Sequence, residues 1–284
     1  MSPASVKPYV DLHLHTSCSD GSDPPREVVR RAAGLHFAAI AVTDHDTVAG
    51  TDEAAAASRD LGLEFLPGVE ISAQCDRAEV HVVGLGIDPP QGPLMETLAA
   101  LRNARIERAS QIVERLHRLG VPAHLAEPPC LLIDDGAVGR MHIARQIVDA
   151  GFAVNVQQAF DKFLNPGRPA YVPKERVSCE KAIEVIHAAG GLAFIGPPGI
   201  GTLYEHLGRL TVLPFDGIEV YHTKHSPGQV DQFLQLARDL RWLVAGGSDC
   251  HGSAKTAPEM GKVRVPYEHY ERIRDRLDAH SPRL

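Results

Sequence analysis

The sequence of 284 residues is poor in aromatic residues, in cysteine and in long apolar runs. Only 5% of the residues are aromatic, and the five cysteines are scattered without a Cys-x-x-Cys pair. An odd number of dispersed cysteines argues against a disulfide framework and favours reduced thiols. The apolar runs are too short to span a membrane, and residues 1–10 contain no apolar segment typical of a signal peptide. We therefore expect a cytoplasmic protein with no membrane partner.

An excess of positive charge is also missing. The formal net charge is −7, so the sequence lacks the basic character of proteins that bind long nucleic acids. Small anionic substrates and oligonucleotides of a few units remain compatible with this charge. The length suits one large domain or a domain with a subdomain, and the 44% of hydrophobic residues can supply its core.

Short apolar runs alternate with helical patterns along the chain, which is typical of parallel βα units. The predicted strands are residues 10–14, 38–42, 64–69, 80–85, 192–195, 217–220 and 243–246. The predicted helices are residues 25–33, 50–61, 181–189, 203–210, 228–240 and 267–279. Seven strands followed by polar clusters predict an α/β barrel with its site at the carboxyl ends of the strands.

Residues 92–169 interrupt this alternation and have a mostly helical pattern. A predicted helix pair is followed by a second helical group at residues 141–150 and 156–163. We interpret the stretch as an insertion that caps the barrel mouth, with scaffolding as the alternative. The predicted organisation is a barrel domain formed by residues 1–91 and 170–284, with a helical cap subdomain formed by residues 92–169.

Histidine is abundant, and the run Asp11-Leu-His-Leu-His15 opens the chain with two of the 15 histidines. Alternate residues of a strand share a face, so His13 and His15 can bind one metal ion. Four later clusters also place His, Asp or Glu at or just after predicted strand ends. The eight candidate ligands are His13, His15, Asp20, His45, Glu70, His81, Asp249 and His251.

Eight ligands are more than one ion needs, since an ion takes about four to six ligands, some of them waters. We therefore expect two or three divalent ions. Mixed nitrogen and oxygen ligands suit Mn²⁺, our first choice, with Zn²⁺, Fe²⁺ or Mg²⁺ as alternatives. Adjacent divalent ions can make hydroxide available near neutral pH and can orient a phosphate ester for attack.

These motifs resemble those of the PHP (polymerase and histidinol phosphatase) domain family. The matching segments are DLHLHTSCSDG, AVTDHD, GVEIS, HVVGLGID, GIEVYHTKHS and GGSDCHG, and they span nearly the whole chain. The helical insertion and the PGRPAYVPKE segment are similar to the nucleotide-directed branch, which includes 3′,5′-nucleoside bisphosphate phosphatases and short-RNA exonucleases. The resemblance implies a distorted seven-stranded (β/α)7 barrel with a di- or trinuclear site.

The resemblance implies the following division of the ligands: His13, His15 and Asp249 for a first ion, Glu70 and His81 for a second, and Asp20, His45 and His251 for a third. Glu70 would bridge the first two ions. One position departs from the family, because Pro197 stands where a ninth ligand, a histidine, would be. Proline offers no lone pair, so we expect the second ion to be bound weakly, to be completed by water, or to be absent.

Three further residues are candidates for binding the substrate phosphate. His225 follows a predicted strand and matches a family histidine near the phosphate, so it is our candidate for phosphate contact or general acid. Arg140 matches a basic position in the branch and lies where a helix begins, and arginine binds phosphate through two donors. Lys174 has a weaker claim as a further cation.

Together with the ligand set, the resemblance implies a metal-dependent phosphatase that attacks phosphorus directly with metal-bound hydroxide. It implies a small nucleotide as the substrate, with the 3′-phosphate of a nucleoside 3′,5′-bisphosphate as the group released. A first alternative is the same chemistry on another ester, as a 5′–3′ exonuclease on short RNA or DNA or as a sugar or amino-alcohol phosphatase. A second alternative is a nucleotide-binding module with partly vestigial metal sites, which only Pro197 supports.

Overall fold

A computed structural model describes residues 8–75, 78–88, 92–124, 140–200, 203–252 and 259–280. The chain divides into two compact units, one comprising Met1–Leu98 with Val177–Leu284 and the other Ala99–Arg176. Both boundaries fall later in the chain than the predicted limits at residues 92 and 169. Within the described ranges, no helix is long and apolar enough to cross a membrane.

The first unit is built around one sheet. In chain order its strands are β1 (Tyr9–Leu14), β2 (Ala39–Val42), β3 (Glu64–Cys75), β4 (Ala78–Leu85), β5 (Val177–Ser178), β6 (Leu192–Ile195), β7 (Gly217–His222), β8 (Leu243–Gly247) and β9 (Val265–Pro266). The order in the sheet is β8-β7-β6-β4-β3-β2-β1-β9, with β5 paired to β3. All seven predicted strands are present, and they form the continuous path from β8 to β1.

The two ends of this path meet, so the sheet nearly closes into a barrel. A bridge pairs Leu14 with Cys250. The amide of Asp249 donates to the carbonyl of His13 at 3.0 Å, and the amide of His15 donates to the carbonyl of Cys250 at 3.1 Å. The predicted α/β barrel is therefore confirmed.

Strand β4 departs from the parallel arrangement that the sequence predicts. It runs antiparallel to β3 and to β6, whereas the pairs β1–β2, β2–β3, β6–β7 and β7–β8 are parallel. The parallel prediction is wrong here because β3 and β4 form a hairpin, and parallel neighbours would need a crossover connection. The reversal has a consequence for the site, since the beginning of β4 lies beside the ends of its neighbours.

Helices connect most of the strands and fill the second unit. They are α1 (Pro25–Gly34), α2 (Thr51–Leu61), α3 (Pro93–Arg118), α4 (Arg140–Asp149), α5 (Val156–Ala159), α6 (Cys179–Ala188), α7 (Leu203–Leu210), α8 (Pro227–Leu240) and α9 (Tyr267–His280). Local signals explain where some begin. Pro25 lies in the first turn of α1, and Ser226 forms a capping box with Gln229 at the start of α8.

Both faces of the central strands are buried, as expected for strands covered by helices. One apolar cluster contains Val10 and Leu12 of β1 and Ile273 of α9. A second cluster contains Ile40 of β2 together with side chains of α1 and α2. Leu14 belongs to this second cluster, and the register of β1 against β2 shifts between Asp11 and Leu14.

The described part of the second unit consists mainly of helices. Helix α5 continues directly into a π-helical turn, Phe160–Leu164. The core of the unit includes Ile112 and Leu116 of α3 and Ile143 and Ile147 of α4. The expected helix pair at the start of the insertion is instead one long helix, α3, because its apolar residues continue at helical spacing without a break.

Candidate metal centre

The predicted metal ligands lie together at one edge of the barrel, where the parallel strands end. His13 and His15 lie at the end of β1, Asp20 lies in the turn before α1, and His45 follows β2. Glu70 and His81 lie in the β3–β4 hairpin, and Asp249 and His251 follow β8. A bridge between His45 and Glu70 joins the segment after β2 to β3. The reversed direction of β4 is what brings His81 to this edge.

Three overlapping groups of these side chains could each hold a metal ion, because the ligand atoms within each group lie within 4.8 Å of one another. The inner group is His13, His15 and Glu70. The outer group is His45, Glu70 and His81. The loop group is His15, Asp20, His45 and His251. Since the groups share members, ions bound to them would be close neighbours.

Asp249, the eighth predicted ligand, lies against the inner group. Its Oδ1 atom is 3.2 Å from Nε2 of His15 and 3.7 Å from Nε2 of His13. Its Oδ2 atom is 3.5 Å from Nε2 of His222. The Nδ1 atom of His222 accepts the amide N–H of Lys224 at 3.2 Å, so a neutral His222 carries its proton on Nε2, facing Asp249. The structure thus brings all eight predicted ligands together.

The chemistry of the donor set fits divalent cations. The Nε2 atoms of His13 and His15 face each other at 3.1 Å. The Oε2 atom of Glu70 lies 3.3, 3.2 and 3.1 Å from ring nitrogens of His13, His15 and His45. Among the described residues, the buried Nδ1 atoms of His15 and His45 make no hydrogen bond. The Nδ1 atom of His45 lies 3.1 Å from Oε2 of Glu70, and the Nδ1 atom of His15 lies 3.7 Å from Oδ1 of Asp20. Buried polar atoms are normally paired, so unpaired nitrogens that face carboxylates indicate a cation site.

The carboxylates of the site are ionised in the metal-free protein. Burial alone would raise the pKa of Glu70, but the imidazoles around it hold that pKa well below its usual range. Burial also acts to raise the pKa values of Asp20 and Asp249. The imidazoles that face them outweigh burial, so both pKa values are lowered. These negative charges are therefore available to a cation at neutral pH.

The imidazoles differ in their affinity for protons. Burial disfavours the charged forms of His13 and His15, but facing carboxylates outweigh it. They raise the pKa of His13 above its ordinary value and the pKa of His15 to about 10. For His45 burial dominates and lowers the pKa to about 3. A cation that binds the inner group must therefore displace protons, because metal ligands bind in their deprotonated form.

Two acids that flank His45 hold the backbone around the ligands. Asp44 accepts hydrogen bonds from the amide and the hydroxyl of Thr16 at 2.7 and 2.6 Å. Asp46 accepts hydrogen bonds from the amide and the hydroxyl of Ser72 at 2.7 and 3.0 Å. Sequence reasoning gave neither acid a role. The available signal was their position on both sides of a ligand histidine, in the run Asp-His-Asp.

Two further buried carboxylates were also missed. Asp11 accepts the amide N–H of Ser248 at 2.9 Å, and burial raises its pKa to about 6. Glu219, on β7, has both carboxylate oxygens 2.9 Å from Nδ1 of His13. The sequence hides this contact because the partner of Glu219 is 206 residues away, although Glu219 lies within the matching segment GIEVYHTKHS.

His225, the predicted phosphate ligand or general acid, is engaged by the protein itself. Its Nδ1 atom donates to the carbonyl of Val220 at 2.8 Å, and its Nε2 atom accepts the amide N–H of Gly199 at 3.1 Å. Burial lowers the pKa of His225. Proton donation or phosphate contact through Nε2 therefore requires the bond with Gly199 to open. The role of His225 stays a prediction.

The two predicted cationic partners of the substrate lie in the second unit. Arg140 is the first residue of α4, and its side chain is outside the described part of the chain. Lys174 lies between the π-helical turn and β5 and is half-buried. Their roles in substrate binding stay predictions.

Pro197 follows a residue that is hydrogen-bonded to the outer group. The amide of Gly196 donates to the carbonyl of His81 at 2.8 Å. The side chain of the next residue, Pro197, has no atom that can bind a metal ion. The exposed side of His81 faces Glu79, whose Oε1 atom is 4.0 Å from Nε2. Among the described residues, the outer group consists of His45, Glu70 and His81.

Known proteins are similar to this chain along most of its length. The PHP domain model matches residues 11–129. A 3′,5′-nucleoside bisphosphate phosphatase of Chromobacterium violaceum is 37% identical over 89% of this chain and 90% of its own. The chain belongs to the PHP domain family. The 5′–3′ exoribonuclease Rnm of Escherichia coli is 37% identical over 88% of both chains.

Solved structures support the PHP assignment. A protein of Bifidobacterium adolescentis, assigned as a metal-dependent phosphoesterase, has a TM-score of 0.80 at 30% identity, covering 97% of this chain and 98% of its own. An amidohydrolase of Chromobacterium violaceum with bound sulfate and no metal has a TM-score of 0.74 at 36% identity, covering 96% of each chain. The predicted PHP barrel and the predicted class, a metal-dependent phosphoesterase, are confirmed.

Proposed function

We propose that the protein uses divalent ions to hydrolyse a phosphate monoester of a small nucleotide, with the 3′-phosphate of a nucleoside 3′,5′-bisphosphate as the group released. The observation that carries this proposal is the convergence of three overlapping ligand groups at one edge of the barrel. The similarity to a nucleoside bisphosphate phosphatase along most of both chains supports the substrate class.

Divalent ions bound here would lower the pKa of a coordinated water and neutralise charge on the phosphoryl oxygens. The protein's own part is to fix the ligands in place. We propose the ligand sets as His13, His15 and Asp249 for one ion, Glu70 and His81 for a second, and Asp20, His45 and His251 for a third. The Glu70 carboxylate would bridge the first two, since it belongs to both the inner and the outer group.

Mn²⁺ is the metal that we propose. Imidazole nitrogens and carboxylate oxygens occur together in every group, and this mixture suits Mn²⁺, with Zn²⁺, Fe²⁺ or Mg²⁺ as alternatives. A cytoplasmic location is part of the same proposal. It is supported by the absence of disulfides among the described cysteines, which is typical of a reducing compartment.

A substrate with two phosphates needs cationic partners beyond the metal ions. We propose Arg140 and Lys174 for the second phosphate, and His225 for contact with the phosphate that is removed. Arg140→Ala should then raise KM for a bisphosphate by about tenfold, the loss of a charge-assisted hydrogen bond, and leave KM for an aryl phosphate unchanged. Equal effects on both substrates would place Arg140 outside the specificity pocket.

A substrate panel tests the function itself. Purified protein with Mn²⁺ is incubated with adenosine 3′,5′-bisphosphate, with mononucleotides and with short RNA, and inorganic phosphate is measured. We expect phosphate from the bisphosphate at the highest kcat/KM. If neither inorganic phosphate nor mononucleotides were released from any of these substrates, the enzyme assignment would be overturned in favour of a binding module with vestigial metal sites.

A second candidate function is 5′–3′ exonuclease activity on short RNA. It is favoured by the similarity to an exoribonuclease over 88% of both chains. The products separate the two functions, because an exonuclease releases mononucleotides from the 5′ end whereas the phosphatase releases inorganic phosphate. A sugar or amino-alcohol phosphatase is the remaining alternative, and such esters belong in the same panel.

A further inference from the structure

Glu219 is a buried carboxylate that the proposed function does not use. It lies in β7, and its side chain is 0% exposed. It belongs to none of the three ligand groups. Burying a carboxylate is unfavourable unless it is paired, so its surroundings should show what it pairs with.

The partner of Glu219 is an imidazole of the inner group. Both carboxylate oxygens lie 2.9 Å from Nδ1 of His13. Among the described residues, His13 is the residue with which the Glu219 side chain hydrogen-bonds. The other buried acid near this strand, Asp11, is different, because it accepts a backbone amide. Glu219 is therefore dedicated to one ring nitrogen.

The orientation of His13 follows from this contact. Both carboxylate oxygens of Glu219 lie at hydrogen-bond distance from the same ring nitrogen and are acceptors, so Nδ1 of His13 is the donor in this contact. In the neutral imidazole the lone pair is then on Nε2. That atom faces the inner group, 3.1 Å from Nε2 of His15 and 3.3 Å from Oε2 of Glu70. A lone pair aimed at the inner group is what a metal ligand requires.

We propose that Glu219 is a positioning residue for the metal centre, holding His13 in the tautomer whose Nε2 lone pair faces the inner group. This inference rests on the proposed binding of metal ions at that group. Carboxylates behind ligand histidines generally fix the ring and raise its basicity, and their loss weakens metal binding. Glu219 acts through His13 and does not itself contact the ion.

The test is the affinity of the metal-free full-length protein for Mn²⁺, measured by isothermal titration calorimetry. Glu219→Gln keeps the shape and an acceptor oxygen but removes the charge, and we expect affinity at the tightest site to fall by about 10-fold. Glu219→Leu removes the acceptor as well, and we expect a fall of about 100-fold. Glu79→Gln is the matched control. Glu79 lies 4.0 Å from His81, another candidate ligand, but its carboxylate is half-exposed. Its removal should therefore change the Mn²⁺ affinity by less than about twofold.

A double-mutant cycle separates positioning from a general effect of charge. In a His13→Ala background, Glu219→Gln should have no further effect on Mn²⁺ affinity, because the imidazole through which Glu219 acts is absent. Should Glu219→Gln fail to fold, Glu219→Asp replaces it with the same expectation, since its carboxylate is too short to hold Nδ1. Circular dichroism and the Tm of each metal-free variant establish the fold.

The inference would be overturned if Glu219→Gln kept the wild-type affinity for Mn²⁺. It would also be overturned if Glu219→Gln lowered that affinity by the same factor in the wild-type protein and in the His13→Ala background. The proposed function fails differently. If the wild-type protein binds Mn²⁺ but hydrolyses no phosphate ester, the function is wrong while the affinity cycle still decides the role of Glu219. If the wild-type protein binds no divalent ion, both are wrong.

Discussion

The inner and outer ligand groups use the same residue types but differ in how firmly the protein holds them. The side chains of His13 and His15 are 1% and 0% exposed, whereas that of His81 is 33% exposed. Behind His13 lies the buried carboxylate of Glu219, whereas His81 has the half-exposed Glu79 at 4.0 Å. Burial strengthens the attraction between a cation and its carboxylates. The comparison indicates that ligand identity alone does not set affinity, and that the inner group should bind its ion more tightly.

The largest expected effect comes from Glu70, the residue that both groups share. Glu70→Ala would remove a carboxylate from both proposed ions at once, and a divalent ion contributes several kcal/mol to charge stabilisation in phosphoryl transfer. We expect kcat/KM for the bisphosphate to fall by about 10⁴-fold or more. Steady-state kinetics with added Mn²⁺ checks this, and Glu79→Gln is the control for general loss of charge. A variant with a tenth of wild-type activity would mean that the groups act independently of Glu70.

Removing one imidazole from each group tests the comparison directly. We expect His15→Ala to lower kcat/KM by about 10³-fold, because His15 belongs to both the inner and the loop group. His81→Ala should lower it by about 10²-fold or less, since the ion proposed for the outer group has fewer protein ligands to lose. Metal content per chain, measured by mass spectrometry after dialysis, should drop more for the His15 variant. Equal losses would show that the two groups bind their ions equally well.

The pH dependence of metal binding should also separate the groups. Facing carboxylates raise the pKa of His15 to about 10, so this ring is protonated in the metal-free protein at pH 7 and binding must release the proton. Affinity at the inner group should therefore rise with pH, by about tenfold per unit for each proton displaced, and level off near pH 10. Burial lowers the pKa of His45 to about 3, so the outer group has no such proton to lose from this ring at neutral pH. Calorimetry in buffers of different ionisation enthalpy counts the protons. If metal binding released no proton at pH 7, the raised pKa of His15 would be contradicted.

The smallest expected effect is a gain in metal affinity at the outer group. Pro197→His restores an imidazole next to the residue that hydrogen-bonds to His81. We expect the affinity of the weakest bound ion to rise by about tenfold, with the tightest ion unchanged. Competition with a graded chelator measures both ions in one titration. Unchanged affinity would mean that the backbone at this position directs the side chain away from the outer group.

The sequence was informative wherever local pattern carries the signal. Apolar runs predict all seven barrel strands, and the histidines and acids placed after those runs predict the candidate ligands that the structure brings together. Strand direction was not predictable, because the period of side chains along β4 is the same whichever way the strand runs. The hairpin was therefore mistaken for part of a parallel series.

Contacts between segments that are distant in the sequence are the second feature that the sequence does not predict. Glu219 and His13 are 206 residues apart, and nothing in the spacing of either motif links them. The engagement of His225 by Gly199 and Val220 was hidden for the same reason. A ligand motif shows which side chains can bind a metal ion, whereas the hydrogen bonds that orient them depend on packing across the barrel.

The β3–β4 hairpin restricts how this protein can tolerate insertions and deletions. Glu70 pairs with Val83 in the ladder, and Ser72 pairs with His81, so the two ligands occupy neighbouring positions of one antiparallel register. A one-residue slip of that register turns alternate side chains to the opposite face of a strand. Between these two strands, changes in length that preserve the pairing keep both ligands in the site. A change that shifts the pairing by one residue would remove a ligand without substituting any amino acid of the metal centre.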